Sequence, residues 1–347
     1  MNFEEAENLV SNAVHPESVF TDVSSIKTDY RVLASLLHPD VNKNSPASVF
    51  AFQNLTKWYT AVQKKIADNT YGNKLLATIT SKKAVYEIHD IVGKDDICDI
   101  YSSTNEKVEE VIVKILRSPA NRDLMLNERR NLSYLQSESP SKGLKVMAHI
   151  STLIDSFEAQ VSGKKTQISV MASTKGLHTL TKVRERYPDG VDMRTAAWIW
   201  NRMLGSFIAV HQAGLVHGAV IPDHFLICPE DHNGVLVDWY YSVKEGQKVK
   251  AISAKWKSFY PTEILNKAEV GFSSDIYMSA MCVIYMLGGN PETREIPKTV
   301  PTAIQGLIRY CLLGKKQRPQ DAYDFHTEFQ STLKQIYGEP KFHPFSM

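Results

Sequence analysis

No two of the four cysteines, Cys98, Cys228, Cys282 and Cys311, form a C-x-x-C pair. That scatter excludes the common zinc-ribbon and thioredoxin-like spacings and points to buried thiols in a reduced compartment rather than to disulfides. Charge of one sign is also scarce: 40 Lys and Arg against 38 Asp and Glu leave +2 over 347 residues. Nucleic acid is therefore not an expected partner. Long apolar runs are missing too. Ala196 to Val210 is broken by Asn201 and Arg202, and Met278 to Leu287 is too short to span a bilayer, so no membrane segment is expected. The opening Met1-Asn2-Phe3-Glu4-Glu5 is acidic and polar, unlike a secretory leader. A cytoplasmic location is the expectation. There is no internal repeat and no long low-complexity tract.

What is present is the composition of an ordinary globular protein, 43% hydrophobic and 22% charged, with length for one large and one small domain. The first seventy or so residues carry helical periodicity in three stretches: Phe3 to Val14, Ser25 to Leu37 and Val49 to Ile66. Between the last two lies His38-Pro39-Asp40-Val41-Asn42-Lys43-Asn44-Ser45-Pro46, a loop by its Pro and Asn content. An apolar helix ending at His-Pro-Asp, a polar loop and a following helix resemble a J-domain. The resemblance implies that His38, Pro39 and Asp40 dock on a DnaK-type heat-shock chaperone and stimulate its ATP hydrolysis. Read without it, the same stretch is a capped helix-turn-helix with a Pro ending the first helix, or, less in keeping with the charge, a nucleic-acid-binding module.

Lys64 to Lys83 loses the period, gathers Asp68-Asn69-Thr70 and Gly72-Asn73, and reads as a linker. From Val85 the pattern turns to strands at Tyr86 to Gly93, Ile97 to Tyr101 and Glu109 to Leu116, followed by a helix over Pro119 to Leu135. Two further strands, Val146 to Phe157 and Gln167 to Met171, turn at Ser162-Gly163-Lys164-Lys165. Beyond Gly176 the chain is mainly helical, and Val191 to Gln212 carries an aromatic stripe that belongs to a core.

Late in the chain, Val216-His217-Gly218-Ala219-Val220-Ile221-Pro222-Asp223-His224 and then Val237-Asp238-Trp239-Tyr240 gather polar groups at the ends of a hairpin. This resembles the catalytic loop and metal-binding motif of protein kinases, H-R-D-L-x-x-x-N followed by D-F-G. Val111-Ile112-Val113-Lys114 is similar to the strand that supplies the phosphate-binding Lys. Glu128 is similar to its helical partner, Gly93 to the first glycine of the nucleotide loop, and Ala172-Ser173-Thr174 to the adenine hinge. Glu263, Asp275 and Arg318 resemble the bracing charges of the carboxy lobe. Taken together the resemblance covers residues 84 to 335.

The resemblance implies ATP and Mg²⁺ as cofactors, with Lys114, Glu128, Gly93 and Asp238 at the nucleotide, and Asp238 with His224 at the metal. The departures bear on chemistry. Ala219 stands at the catalytic-base position, Ile221 at the loop Lys, His224 at the second-metal Asn, and Asp95 and Cys98 at the other loop glycines. Alanine cannot accept a proton, and a carboxylate beside Asp96 opposes phosphate. Asp223 is the only nearby carboxylate that could substitute, and His217 braces the loop rather than facing substrate.

The expected fold class is thus α+β: a small all-α J-domain-like module over 1–67, a linker over 68–83, a bilobal protein-kinase-like domain over 84–337 and a tail over 338–347. The expected function is that of a catalytically impaired, pseudokinase-like adaptor joined to a chaperone-recruiting module. The alternative is an unconventional ATP-dependent phosphotransferase or nucleotidyl transferase. Lys244, Lys248, Lys250, Lys255 and Lys257, in the activation-segment position, offer a basic surface to an acidic partner or client.

Overall fold

The computed structural model describes residues 1–13, 16–67, 71–72, 75–141, 149–161 and 163–347, with the side chains of 138–141 left out. Val14 of the first expected helix lies outside the described residues, as do Asp68 to Thr70 and Asn73 of the expected linker. So do the start of the strand expected from Val146 and Ser162 of its turn. The chain divides into two compact units, one of residues 1–91 and 102–110, the other of 92–101 and 111–347.

In the first unit three helices carry the periodicity seen in the sequence: α1 (Phe3–Asn12), α2 (Ile26–Leu37) and α3 (Pro46–Ala67). Asn2 and Glu5 exchange backbone and side-chain hydrogen bonds across the first turn of α1, satisfying donors that a helix start leaves open. The apolar faces meet in a core of Val10, Phe20, Ile26, Leu33, Leu37, Leu55 and Val62. Tyr30 stacks on Tyr59 with centroids 4.0 Å apart, and the Trp58 indole N–H donates to the Val10 carbonyl at 3.0 Å. Lys65, only 2% exposed, is held by Glu17 at 2.8 Å. The stretch read as a linker carries a short strand, β1 (Ala77–Thr80), paired antiparallel with β2 (Val85–Lys94). Four residues are too few to show an alternation in sequence.

The boundary between the units runs through β2 and β3 (Cys98–Asn105) and the start of β4 (Glu110–Leu116). Beyond β4 the strand order of the second unit is β4-β6-β5, where β5 is Leu153–Val161 and β6 is Lys164–Ala172. In the second unit β4 pairs antiparallel with β6, setting Lys114 opposite Ser169. Helix α4 (Arg122–Ser141) follows β4 and carries Glu128. After β7 (His178–Thr179) and α5 (Leu180–Arg186) comes the aromatic helix α6 (Met193–Gln212), capped by Asp192.

Short strands β8 (Leu215–Val216), β9 (Phe225–Cys228), β10 (Asn233–Leu236) and β11 (Val243–Lys244) frame the loop segments. Helices α7 (Thr262–Leu265), α8 (Phe272–Met286), α9 (Thr302–Cys311) and α10 (Ala322–Tyr337) complete the unit. The sequence stripe on α6 is core: Trp200 packs on Phe325 and Phe329 of α10 and donates its N–H to Ser279 of α8 at 3.0 Å. Among the described residues no helix is long and apolar enough to cross a membrane.

Glu263 and Arg318, far apart in sequence, meet in this core as a buried ion pair, and the Ser274 hydroxyl donates to the same carboxylate at 2.8 Å. A buried carboxylate stripped of its partner keeps its desolvation cost without the compensating attraction. Arg318→Met is therefore expected to lower unfolding free energy by about 3–5 kcal/mol, measured by chemical denaturation. A loss within error of zero would remove the pair from the stabilising contacts.

Candidate functional site

The second unit holds a cleft of 620 Å³ lined by Ile112, Met171, Leu226 and Val237 on its apolar walls and by Lys114, Asp95, Asp96, His224 and Asp238 at its polar end. Ala172, Ser173 and Thr174 run along the rim, and Gly93 lies in the β2 segment over it. Lys94, Lys182 and Lys255 stand among its lining cations.

Lys114 on β4 projects into the polar end because alternation along the strand points it away from Val113 and Ile115. Its ammonium lies 3.0 Å from Glu128 Oε1, 2.6 Å from Asp238 Oδ1 and 3.4 Å from Asp95 Oδ2, and it is almost fully buried. The ring face of Tyr240 lies 4.4 Å away. Burial alone would lower its pKa, but the three carboxylates raise it well above the ordinary value. Three acids around one base cannot all ionise freely. Burial, reinforced by Asp238 and Asp95 against the pull of Lys114, pushes Glu128 up to about 7, and burial raises Asp238 as well. Glu128 Oε1 also accepts from the Trp239 N–H, while Oε2 has no partner.

Asp95 and Asp96 occupy the hairpin tip between β2 and β3. Asp95 Oδ1 accepts from the backbone amides of Ile97 and Cys98 at 2.8 and 2.6 Å, and its Oδ2 accepts from the Tyr240 hydroxyl at 2.6 Å. Asp96 accepts from Tyr241 at 2.7 Å and from Ser253 at 3.0 Å, and lies 3.6 Å from His224 Nε2. Burial would raise Asp96, yet His224 and the two hydroxyls outweigh it and hold it down at about 2. His224 donates through Nδ1 to the Ala219 carbonyl at 2.9 Å and turns Nε2 to Asp96 and Asp238, each at 3.6 Å. Burial opposes its charge, but the two carboxylates raise its pKa. Asp238 sits at φ 60°, ψ 62°, a left-handed conformation that Asp tolerates better than most residues.

The loop around His217 is braced from below. Asp275 accepts from the backbone amides of His217 and Gly218 at 2.8 and 2.9 Å and from His211 at 3.1 Å. His217 donates through Nε2 to the Val237 carbonyl at 2.9 Å, and burial pushes its pKa down to about 4, so it is neutral. Gly218 has φ 74°, and a Cβ there would come within 2.9 Å of Val249 and 3.2 Å of the Tyr241 carbonyl. The Arg of the kinase pattern has no room at this position. Ala219 is fully buried. Asp223, the only candidate substitute base, accepts from Thr181, from Lys255 at 2.8 Å and from Trp256 at 2.7 Å. Burial would raise it, but these bonds lower its pKa and weaken it as a base.

The structure therefore brings Lys114, Glu128, Asp238 and His224 together, keeps His217 and Ala219 inside the loop, and commits Asp223 to Lys255 and Trp256. His38 and Asp40 lie in the first unit, on the loop after α2, Asp40 exposed and His38 half-buried with its ring edge-on to Phe52 at 5.3 Å. The sequence left two members unrecognised, Tyr240 and Tyr241. Their one signal is that the glycine position of D-F-G reads as Tyr240 and is followed by a second phenol, Tyr241. Of the five activation-segment lysines, Lys250 and Lys255 pair with Asp123 and Asp223.

ATP with Mg²⁺ does not fit these residues as they stand. The Ile97 and Cys98 amides, which would meet phosphate, already serve the Asp95 carboxylate, and the Lys114 ammonium is bonded to Asp238 and Glu128 with Asp95 3.4 Å away. Among the described residues no group of three or more His, Cys, Asp or Glu is arranged to hold a metal ion.

No protein-family model matches the chain, and no curated protein matches it. Solved structures do match. The structure of vaccinia related kinase 3 superimposes with a TM-score of 0.62 at 12% identity, over 78% of this chain and 94% of that one. The BubR1 kinase domain gives 0.57 at 16% identity, over 80% and 92%. At these identities the likeness is one of fold, and that fold is protein-kinase-like.

A carboxyl whose folded pKa lies above its unfolded value stabilises the fold below the unfolded pKa and loses that contribution as pH rises through the folded one. For Glu128 the window runs from its ordinary 4.5 to about 7. Across it, the unfolding free energy of the native chain relative to Glu128→Gln is expected to fall by about 3 kcal/mol. Denaturant titrations of both proteins at several pH values measure this, and a difference flat with pH would contradict the raised pKa.

Proposed function

We propose that the chain is a catalytically impaired, kinase-like adaptor whose amino-terminal helices act as a J-like module recruiting a DnaK-type chaperone. The observation that carries the first half is Asp95. Its carboxylate takes the Ile97 and Cys98 amides and stands 3.4 Å from the Lys114 ammonium, in the place that a nucleotide phosphate would need. Tyr240 and Tyr241 tie both acids of the tip to the segment after Asp238. Ala219 supplies no base, and Asp223 is engaged elsewhere. The second half rests on the His38-Pro39-Asp40 loop between α2 and α3, in which Asp40 is exposed and His38 and Pro39 are half-buried. Lys244, Lys248 and Lys257 remain as candidate contacts for an acidic client.

The transferase reading keeps one observation on its side: Lys114 and Glu128 are paired, as phosphoryl transfer in this fold requires.

Calorimetry separates the two. The native chain is expected to show no binding at about 1 mM ATP with Mg²⁺, whereas the double variant Asp95→Gly, Asp96→Gly is expected to bind. Metal-dependent binding by the native chain that Lys114→Ala abolishes would favour the transferase. For the chaperone arm, the chain is expected to stimulate the ATPase of a DnaK-type protein and His38→Gln to lose that stimulation. A parent chain without stimulation would remove the J-like reading.

A further inference from the structure

The tail of the second unit lies over a second cavity, of 830 Å³, formed by α6, α10 and the turn between β9 and β10. Phe342 stacks on His232 with centroids 4.2 Å apart, and His232 in turn stacks on Trp198 at 4.2 Å and 3°. Phe345 packs on Tyr187 at 5.2 Å, the Tyr187 hydroxyl donates to the Ser346 carbonyl at 2.7 Å, and His343 lies 3.1 Å from Asp192. The hold is uneven: His232 is 8% exposed, while Phe342, which covers it, is 63% exposed.

Beneath this layer three buried polar atoms have no partner among the described residues: Trp198 Nε1, Asn201 Oδ1 and His232 Nε2. Trp198 and Asn201 are three residues apart on α6 and so share a face. The indole is a donor only and the amide oxygen an acceptor only. The tail brings rings to this place but no group for either atom, and a buried polar atom left unpaired is costly. A peptide unit carries an acceptor and a donor side by side. The cavity's charges are also lopsided: Lys334 pairs with Glu339 at 2.6 Å, leaving Arg194, over the Tyr337 ring at 5.1 Å, and Lys341 beside Phe342 on the tail.

We propose that this cavity is a docking groove for an extended acidic segment of a partner protein that carries an aromatic residue. That residue displaces Phe342 from His232, and the segment's backbone satisfies Trp198 and Asn201. The groove is lined by residues other than those of the cleft and does not depend on whether the cleft binds nucleotide.

The test uses the full chain and a fluorescein-labelled Glu-Phe-Glu-Pro-Phe peptide read by anisotropy. Phe342→Ala, which vacates the stack, is expected to bind the peptide about tenfold more tightly than the native chain. In that background, Trp198→Phe keeps the ring and removes the N–H, and is expected to weaken binding about tenfold. A Gln-Phe-Gln-Pro-Phe peptide should bind more weakly than the acidic one. Should Trp198→Phe fail to fold, Asn201→Leu replaces it. Equal binding by native and Phe342→Ala chains, or indifference to both the indole N–H and the peptide's charge, overturns the proposal. So does a native dimer that Phe342→Ala dissociates in sedimentation, because a second copy's tail would then be the occupant.

Discussion

One ammonium set among three carboxylates organises the second unit. Lys114 reaches Glu128 on α4, Asp238 after β10 and Asp95 at the hairpin tip, so strand, helix, loop and hairpin converge on a single positive charge. A buried cation is tolerated only where opposite charge surrounds it. Here the surplus lies with the acids, and burial, reinforced by the neighbouring carboxylates, raises the carboxyl pKa values of Glu128 and Asp238. His224 meets the excess from the other side, between Asp96 and Asp238. The aromatic segment after Asp238 then closes the arrangement by giving both hairpin acids a phenol.

Seen this way, the departures from the kinase pattern belong together. An acidic hairpin needs a cation and hydroxyls, which Lys114, Tyr240 and Tyr241 provide. A glycine where the pattern has Arg is what the close approach of Val249 and the Tyr241 carbonyl permits. These are satisfied contacts, and the polar end of the cleft is well bonded internally.

Much of the fold was legible because its signals are local. The helices at 26–37, 46–67 and 193–212 follow apolar periodicity, and β4 follows alternation around Lys114. The ordered series Lys114, Glu128, Asp238, Asp275 and Arg318 marked which charges should be buried. The sequence could show that Asp95 and Asp96 oppose phosphate. It could not show that Asp95 binds the hairpin's own amides, or that two phenols 145 residues later hold the pair. Contacts of that separation leave no periodic trace. The tail groove was hidden for the same reason, since His232 joins Trp198 and Phe342 only in three dimensions.

The carboxylate of Asp275 has a consequence for the order in which the chain takes shape. It fixes the amides of His217 and Gly218 from 58 and 57 positions downstream. Closing such a loop carries an entropic cost that nearby contacts do not repay in advance. During synthesis the segment at 217–218 emerges well before α8 exists, and its final form waits for that helix. The Arg318 partner of Glu263 arrives later still, 55 residues on. A ribosome-bound chain halted between Gly218 and Asp275 would carry β4 and its sheet partners beside a loop whose carboxylate brace does not yet exist.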